Sequence, residues 1–320
     1  MEKQQIKRYL QVGLPVLMVV ALILGAIKYV NGREVLNALQ QFNYSYSIPI
    51  LMLSMLYLIV ISWRFVVLLR ALTAVRWHVP FKSFIASQPG LLIPGGLALR
   101  ASLLNQAGVP VGRGSVPVLL SSLLDQVAFL AIAMVAALWF PPARTPVLVV
   151  LALFALAGGA LAVTAIRKRV LQGGRWLRRK LHVEEQWQQF RTDLPKSFTW
   201  SVLGPTLGLT AISLGLTVLI LDLNVRAFNQ SVPYHALLLA FVLPTMLGRL
   251  VPILPGGIGV TEASMVGVLV SVAALSTHAA TAIVIIFRIA TIFFQAMLGA
   301  VVYFFLWRGQ KENVQVEPAS

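Results

Sequence analysis

Apolar residues in this chain come in long unbroken runs, and polar residues gather in the gaps between them. Runs at 10–30, 48–69, 115–138, 145–166, 198–221 and 279–306 each approach or exceed the roughly 20 residues that a helix needs to cross a bilayer. None shows the two-residue alternation of a barrel strand, so the pattern predicts helices. Two stretches are built differently. Arms at 81–97 and 98–111 meet around Ile93-Pro94-Gly95-Gly96-Leu97, and arms at 234–253 and 260–275 meet around Leu254-Pro255-Gly256-Gly257-Ile258. Pro and Gly interrupt both, and the arms of the first are short for a full crossing. The expectation is an all-α polytopic membrane protein, one membrane domain over 1–320, with about six full spans and two re-entrant helical hairpins at 81–112 and 234–275. A short segment at 33–42 spaces Val35, Leu36 and Leu39 at helical intervals, as in a helix lying along the outer interface.

The order of these pieces repeats. Residues 48–138 read as span, hairpin, span, and so do residues 198–306, with 145–166 as a linking span. The first copy enters its hairpin from one side of the membrane and the second from the other, which defines an inverted-topology repeat. A simpler alternative makes 234–275 two full spans, since 234–253 is itself about 20 residues long.

Composition agrees with a bilayer setting. The 320 residues are 58% hydrophobic and only 11% charged, too little polar surface to coat a water-soluble globule. The net charge of +16 would suggest nucleic acid in a soluble protein, but its location argues for lipid. Arg167, Lys168, Arg169, Arg175, Arg178, Arg179 and Lys180 crowd into a loop at 167–197, where positive charge retains a segment in the cytoplasm. Lys3, Lys7 and Arg8 before the first run, and Arg308 and Lys311 after the last, place both termini on that side of the cytoplasmic (inner) membrane. Partners are therefore membrane lipids with anionic or zwitterionic head groups, with no nucleic acid. There is no cysteine, and the four histidines are scattered, so no metal site or other cofactor is expected. Nor is there a phosphate-binding loop, a His-Glu-x-x-His pair or an activated nucleophile, which argues against an enzyme.

The chemistry is concentrated in a few intramembrane charges. Ten acidic residues exist, and Glu2, Glu34, Glu184, Glu185, Asp193, Asp222, Glu312 and Glu317 are assigned to termini or loops. Asp125 and Glu262 remain, accompanied by Arg100 and Arg288. Each mid-bilayer charge costs about 2.5–3.5 kcal/mol, so all four must face one another or water. Helical spacing puts Ser121, Ser122 and Asp125 on one side of their helix, and Thr281, Arg288 and Gln295 recur at sevens with Thr291 close by. These stripes read either as internal clamps, Arg100 with Asp125 and Glu262 with Arg288, or as a seat for a phosphate or carboxylate head group. Pro94, Gly95 and Gly96, like Pro255, Gly256 and Gly257, supply turns with exposed backbone donors that suit an anion or simply reverse the chain. Arg249 lies deep enough to join the site. Arg64, near a span end, is expected to snorkel to the interface.

Arg100-Ala101-x-Leu103-Leu104, Gly108-Val109-Pro110 and Leu123-Leu124-Asp125, with Pro255-Gly256-Gly257-Ile258-Gly259-Val260-x-Glu262-Ala263 and Arg288, carry a resemblance over nearly the whole chain. The pattern resembles the family named for the transmembrane region of lysylphosphatidylglycerol synthase, also called flippase-like. Ser121-Ser122 stands where the family often has Glu-Arg, and Thr261 where it often has Arg. The soluble aminoacyl-transferase domain of true synthases is not in this sequence. The resemblance implies a polytopic inner-membrane protein linked to translocation of lipids or lipid-linked sugars.

The expected function is thus a flippase-like transporter that moves a phospholipid or lipid-linked head group through a charged intramembrane cavity, held by Arg100, Arg249 or Arg288 while Asp125 and Glu262 exchange partners. The alternative is a non-transporting scaffold for a glycosyltransferase or lipid-synthesis enzyme, docking through the basic loop. A membrane-embedded enzyme using Asp125 or Glu262 as acid or base is a third reading.

Overall fold

A computed structural model describes residues 32–92, 97–139, 141, 144–162, 168, 172, 184–250 and 259–307. The expected first span at 10–30, both Pro-Gly-Gly turns and nearly all of the basic cluster lie outside these residues. Among the described residues all regular elements are helical. Tyr44–Arg70, Val111–Val135, Trp200–Ala227 and Thr277–Trp307 are long and apolar enough to cross a membrane, and Tyr234–Gly248 and Val260–Ala273 are shorter apolar helices.

In chain order the helices are α1 (Gly32–Gln40), α2 (Ser47–Arg70), α3 (His78–Ala86), α4 (Leu97–Gln106), α5 (Val111–Trp139), α6 (Arg144–Ala162), α7 (Glu184–Asp193), α8 (Trp200–Ala227), α9 (Tyr234–Leu250), α10 (Val260–Ala273), α11 (Thr277–Arg288) and α12 (Phe294–Val302). A π-helical turn, Ile289–Phe293, joins α11 to α12, and a second, Tyr303–Trp307, follows α12.

Local chemistry explains the breaks. Asn43 accepts a hydrogen bond from the Ser45 N–H at 3.0 Å, capping the 3₁₀ turn that leads into α2. The stretch expected as one arm at 81–97 is instead two pieces. α3 ends at Ala86 and a 3₁₀ turn spans Gln88–Leu92, because Pro89 lacks an N–H and Gly90 weakens a helix interior. α4 stops at Gln106 in a left-handed reversal at Gly108, φ 86°, where the Val109 N–H bonds back to the Leu104 carbonyl at 3.0 Å. Pro117, Pro205 and Pro244 lie inside helices that nonetheless continue, as helices in apolar surroundings permit. α8 runs on to Ala227, six residues past the expected end, so Asp222 is helical and buried rather than in a loop. Its Oδ2 lies 2.9 Å from Arg226 Nε one turn on and 3.4 Å from the Tyr234 hydroxyl. Glu184, Glu185 and Asp193, also assigned to a loop, belong to α7.

The chain divides into two compact units. The first comprises Met1–Ile59, Ala86–Leu97 and Ser213–Val301. Its core joins Phe42, Ile50, Leu221, Val225, Leu237, Met265, Leu269, Ile283 and Phe287. α1 does not merely lie on the surface: it packs against α11 and buries Ala38, and Phe42 just beyond it meets Phe228 edge-on at 5.4 Å. α9 and α10 pack side by side, and α10 against α11.

The second unit comprises Val60–Ile85, Ala98–Ile212 and Val302–Ser320. Leu68, Leu120 and Leu124 form one of its apolar clusters, with Val202 and Leu203 against them. α7 docks on the first turn of α5. There Gly112 approaches the Gln186 backbone so closely that a Cβ would collide with the Gln186 carbonyl. Asp193, buried at the end of α7, accepts hydrogen bonds from Arg113 Nε at 2.9 Å and Lys196 Nζ at 3.0 Å. Its pKa is lowered from the ordinary carboxylate value: burial alone would raise it, and the two hydrogen bonds and two positive charges together outweigh that.

Candidate functional site: buried ion pairs in apolar helices

In the second unit the charged centre is built by three helices. α2 carries Arg64, α5 carries Asp125 and α8 carries Thr210. Arg64 Nη1 donates to Asp125 Oδ1 at 2.5 Å and to the Thr210 hydroxyl at 2.9 Å, and Nη2 donates to Asp125 Oδ2 at 3.3 Å. The two parallel donations are the fork geometry that makes arginine the preferred partner of a carboxylate. The Thr210 hydroxyl in turn donates a hydrogen bond to the Thr206 carbonyl at 2.8 Å, and the Thr206 hydroxyl to the Val202 carbonyl at 2.6 Å. Both oxygens of Asp125 are thereby engaged by one guanidinium.

This corrects the expectation for Arg64. It does not snorkel: its side chain is only 6% exposed. Helical spacing gives the reason, since Arg64 shares its face of α2 with buried Ile61, Phe65 and Leu68 and so points into the bundle. Thr210 was missed as well, although Thr206, Thr210, Ser213 and Thr217 form a legible four-three-four stripe on α8, and all four are buried.

Arg100 on α4 is buried too, with its guanidinium carbon 3.8 Å from the centre of the Phe84 ring and 5.4 Å from that of Phe65. Aromatic faces attract a cation without neutralising it, which suits a charge in apolar surroundings. Ser121, one turn before Asp125, is buried and donates to the Val118 carbonyl at 3.0 Å, while Ser122 is half-buried.

In the first unit the centre joins α10 to α11. Glu262, in the first turn of α10, lies with Oε1 2.8 Å from Arg288 Nε, the pairing expected as a clamp. Its Oε2 accepts a short hydrogen bond from the Gly259 N–H, satisfying a donor that the helix start leaves open. Gly259 has φ 94°, a left-handed conformation that leaves glycine as the natural residue there.

The two pairs differ in quality. Arg288 is close to Glu262 without being aligned on it: Nε and Nη2 are both buried and neither has a hydrogen-bond acceptor among the described residues. Arg64 leaves only Nε in that state. Gln295 is 2% exposed, and its Nε2 likewise has no acceptor. The π turn at Ile289–Phe293 stands between Arg288 and Gln295, so their seven-residue spacing does not give the alignment an uninterrupted α-helix would. Thr281, half-buried, and Thr291 donate to the carbonyls of Thr277 and Phe287, both at 2.7 Å. Arg249 lies in the last turn of α9, and Pro94, Gly95, Gly96, Pro255, Gly256 and Gly257 lie outside the described residues. No group of three or more metal-ligating side chains occurs among the described residues.

Chemically, both centres hold a cation and an anion at close range within apolar helices, where a charge left without a partner costs several kcal/mol. Such pairs either lock helices together or exchange partners with a charged ligand. No curated protein matches the sequence. Residues 12–299, however, match the family model described as "Lysylphosphatidylglycerol synthase TM region". With its charged centres set in apolar helices, four of membrane-crossing length, and that match running through nearly all of its sequence, the chain belongs to the lysylphosphatidylglycerol synthase transmembrane-region family, and is a multi-pass membrane protein.

Proposed function

We propose that the protein is a flippase-like transporter that carries the head group of a phospholipid or lipid-linked sugar across the inner membrane, the acyl chains remaining in lipid. The observation that carries this reading is the Glu262–Arg288 pair at the start of α10: a guanidinium with open donors, set among apolar helices, beside a carboxylate that is itself partly exposed. A lock between helices needs neither open donors nor an exposed anion. Family membership supports a role in lipid-related processes. In this reading α9 and α10, shorter than the four membrane-length helices, are the arms of a re-entrant hairpin, and 48–138 and 198–306 are inverted repeats with both termini cytoplasmic. The protein performs no catalytic step of its own.

The test is reconstitution into vesicles containing a fluorescent phospholipid, with an impermeant reductant added outside. The expected result is protein-dependent bleaching of inner-leaflet label, abolished by Arg288→Ala. Bleaching of the outer leaflet alone, with the protein shown to be folded and inserted, would refute transport and favour the scaffold.

A further inference from the structure

We infer that Glu262 is a displaceable resident counter-ion, occupying a seat on Arg288 that a phosphate oxyanion takes in its place. Three features of the first unit converge on this. Arg288 has two buried nitrogens, Nε and Nη2, with no acceptor among the described residues, and a guanidinium in apolar surroundings does not leave such donors open without cost. Glu262 Oε1 is only 2.8 Å from Nε and yet does not satisfy it, so the carboxylate fills the place of an anion without its geometry. The reason lies in the other oxygen, which the Gly259 N–H holds at the start of α10, fixing the carboxylate off the guanidinium's donor axis. Glu262 is also the more open partner, its side chain 27% exposed against 14% for Arg288.

A tetrahedral phosphate offers several oxygens at once and can meet both open donors of Arg288, which a carboxylate tethered by one oxygen cannot. When it enters, Glu262 swings off and the freed N–H at the positive end of α10 faces the same anion. The Arg64–Asp125 pair of the second unit is the contrast: both carboxylate oxygens are already met by the fork, and only Nε of its guanidinium lacks an acceptor among the described residues, against two nitrogens at Arg288. The phosphate belongs to a lipid head group or is free in solution. Only the lipid source rests on the transport reading.

Calorimetric titration of the protein in dodecyl maltoside and phosphate-free buffer tests this with three probes: dihexanoyl phosphatidylglycerol, inorganic phosphate, and dihexanoylglycerol, which lacks phosphate. Binding of a phosphate-bearing probe is expected to weaken about tenfold in Arg288→Lys, which loses the fork, and to tighten about tenfold in Glu262→Gln, which removes the competing charge. Tighter binding of phosphatidylglycerol assigns the seat to a lipid head group, and tighter binding of inorganic phosphate to a soluble anion. The inference is overturned if dihexanoylglycerol binds equally well, if neither phosphate compound binds, or if Glu262→Gln weakens binding. Melting temperatures without probe establish that each variant is folded. Glu262→Gln, a near-isostere, carries the test alone where Arg288→Lys is not. Phosphate binding without flipping in vesicles refutes transport and leaves the seat standing; flipping without phosphate binding does the reverse.

Discussion

Arg64 spends two of its three nitrogens on the two oxygens of Asp125, tying α2 to α5 across 61 residues of sequence, and adds Thr210 of α8 through the same Nη1. Removing one member of a buried pair leaves the other charged in apolar surroundings, which costs about 3–5 kcal/mol, whereas replacing both is often close to neutral. Arg64→Met is therefore expected to lower the melting temperature sharply, and Arg64→Met/Asp125→Leu to recover most of the loss. Additive losses in that double-mutant cycle would show that the two side chains do not act as a pair.

At the α7–α5 contact the constraint is steric. Gly112→Ala places a methyl group against the Gln186 carbonyl, which is backbone and cannot turn aside. A penalty of about 1–3 kcal/mol is expected, with α7 displaced from α5. Emission from Trp187, which stacks on Phe190 at 5.6 Å, would report it as a shift when Gly112→Ala is compared with the parent in a background where the other six tryptophans are replaced by phenylalanine. An unchanged spectrum and melting temperature would mean that the contact does not hold α7.

Asp193 gives that contact a pH dependence. Its folded pKa lies below the unfolded value, so the unfolded state binds the proton more readily. The stabilisation is complete above the unfolded value of about 3.9 and is lost as pH falls through the lower folded value. Thermal unfolding between pH 6 and pH 3 should show a steeper loss in the parent than in Asp193→Asn, with the curves converging at the acid end. Parallel curves would contradict this.

The sequence displays much of this architecture and little of its pairing. α2 is readable because its apolar run begins after the turn residues around Asn43 and stops at Arg70, and α5 because Gly108-Val109-Pro110 breaks the chain before it. The Glu262–Arg288 pair is readable because each is the lone charge in an apolar helix and each needs an opposite. Arg64 is misread because nearness to a span end is a property of the sequence, whereas the face it occupies depends on which neighbours are buried. The Phe65 and Phe84 rings beneath Arg100 come from two other helices, and no local spacing connects them. The π turn has no compositional mark, since Ile289–Phe293 looks like any apolar run and only its hydrogen bonding sets it apart.

Gln295 offers a test of opposite sign. Its Nε2 is buried without an acceptor, and an apolar side chain of similar shape would not carry that desolvation cost. Gln295→Met is expected to stabilise the protein by about 1 kcal/mol, seen as a rise in melting temperature. A fall would show that the amide makes a contact of value in the folded membrane state.

The widened turn at Ile289–Phe293 gives the helix below Arg288 one residue of slack in its winding. If that slack were taken up, the segment on one side would swivel by roughly 100° about the common axis while hardly lengthening, because each residue of an α-helix turns by that amount and rises about 1.5 Å. A guanidinium mounted at the edge of such a joint can be re-aimed without dragging a whole transmembrane rod through the bilayer.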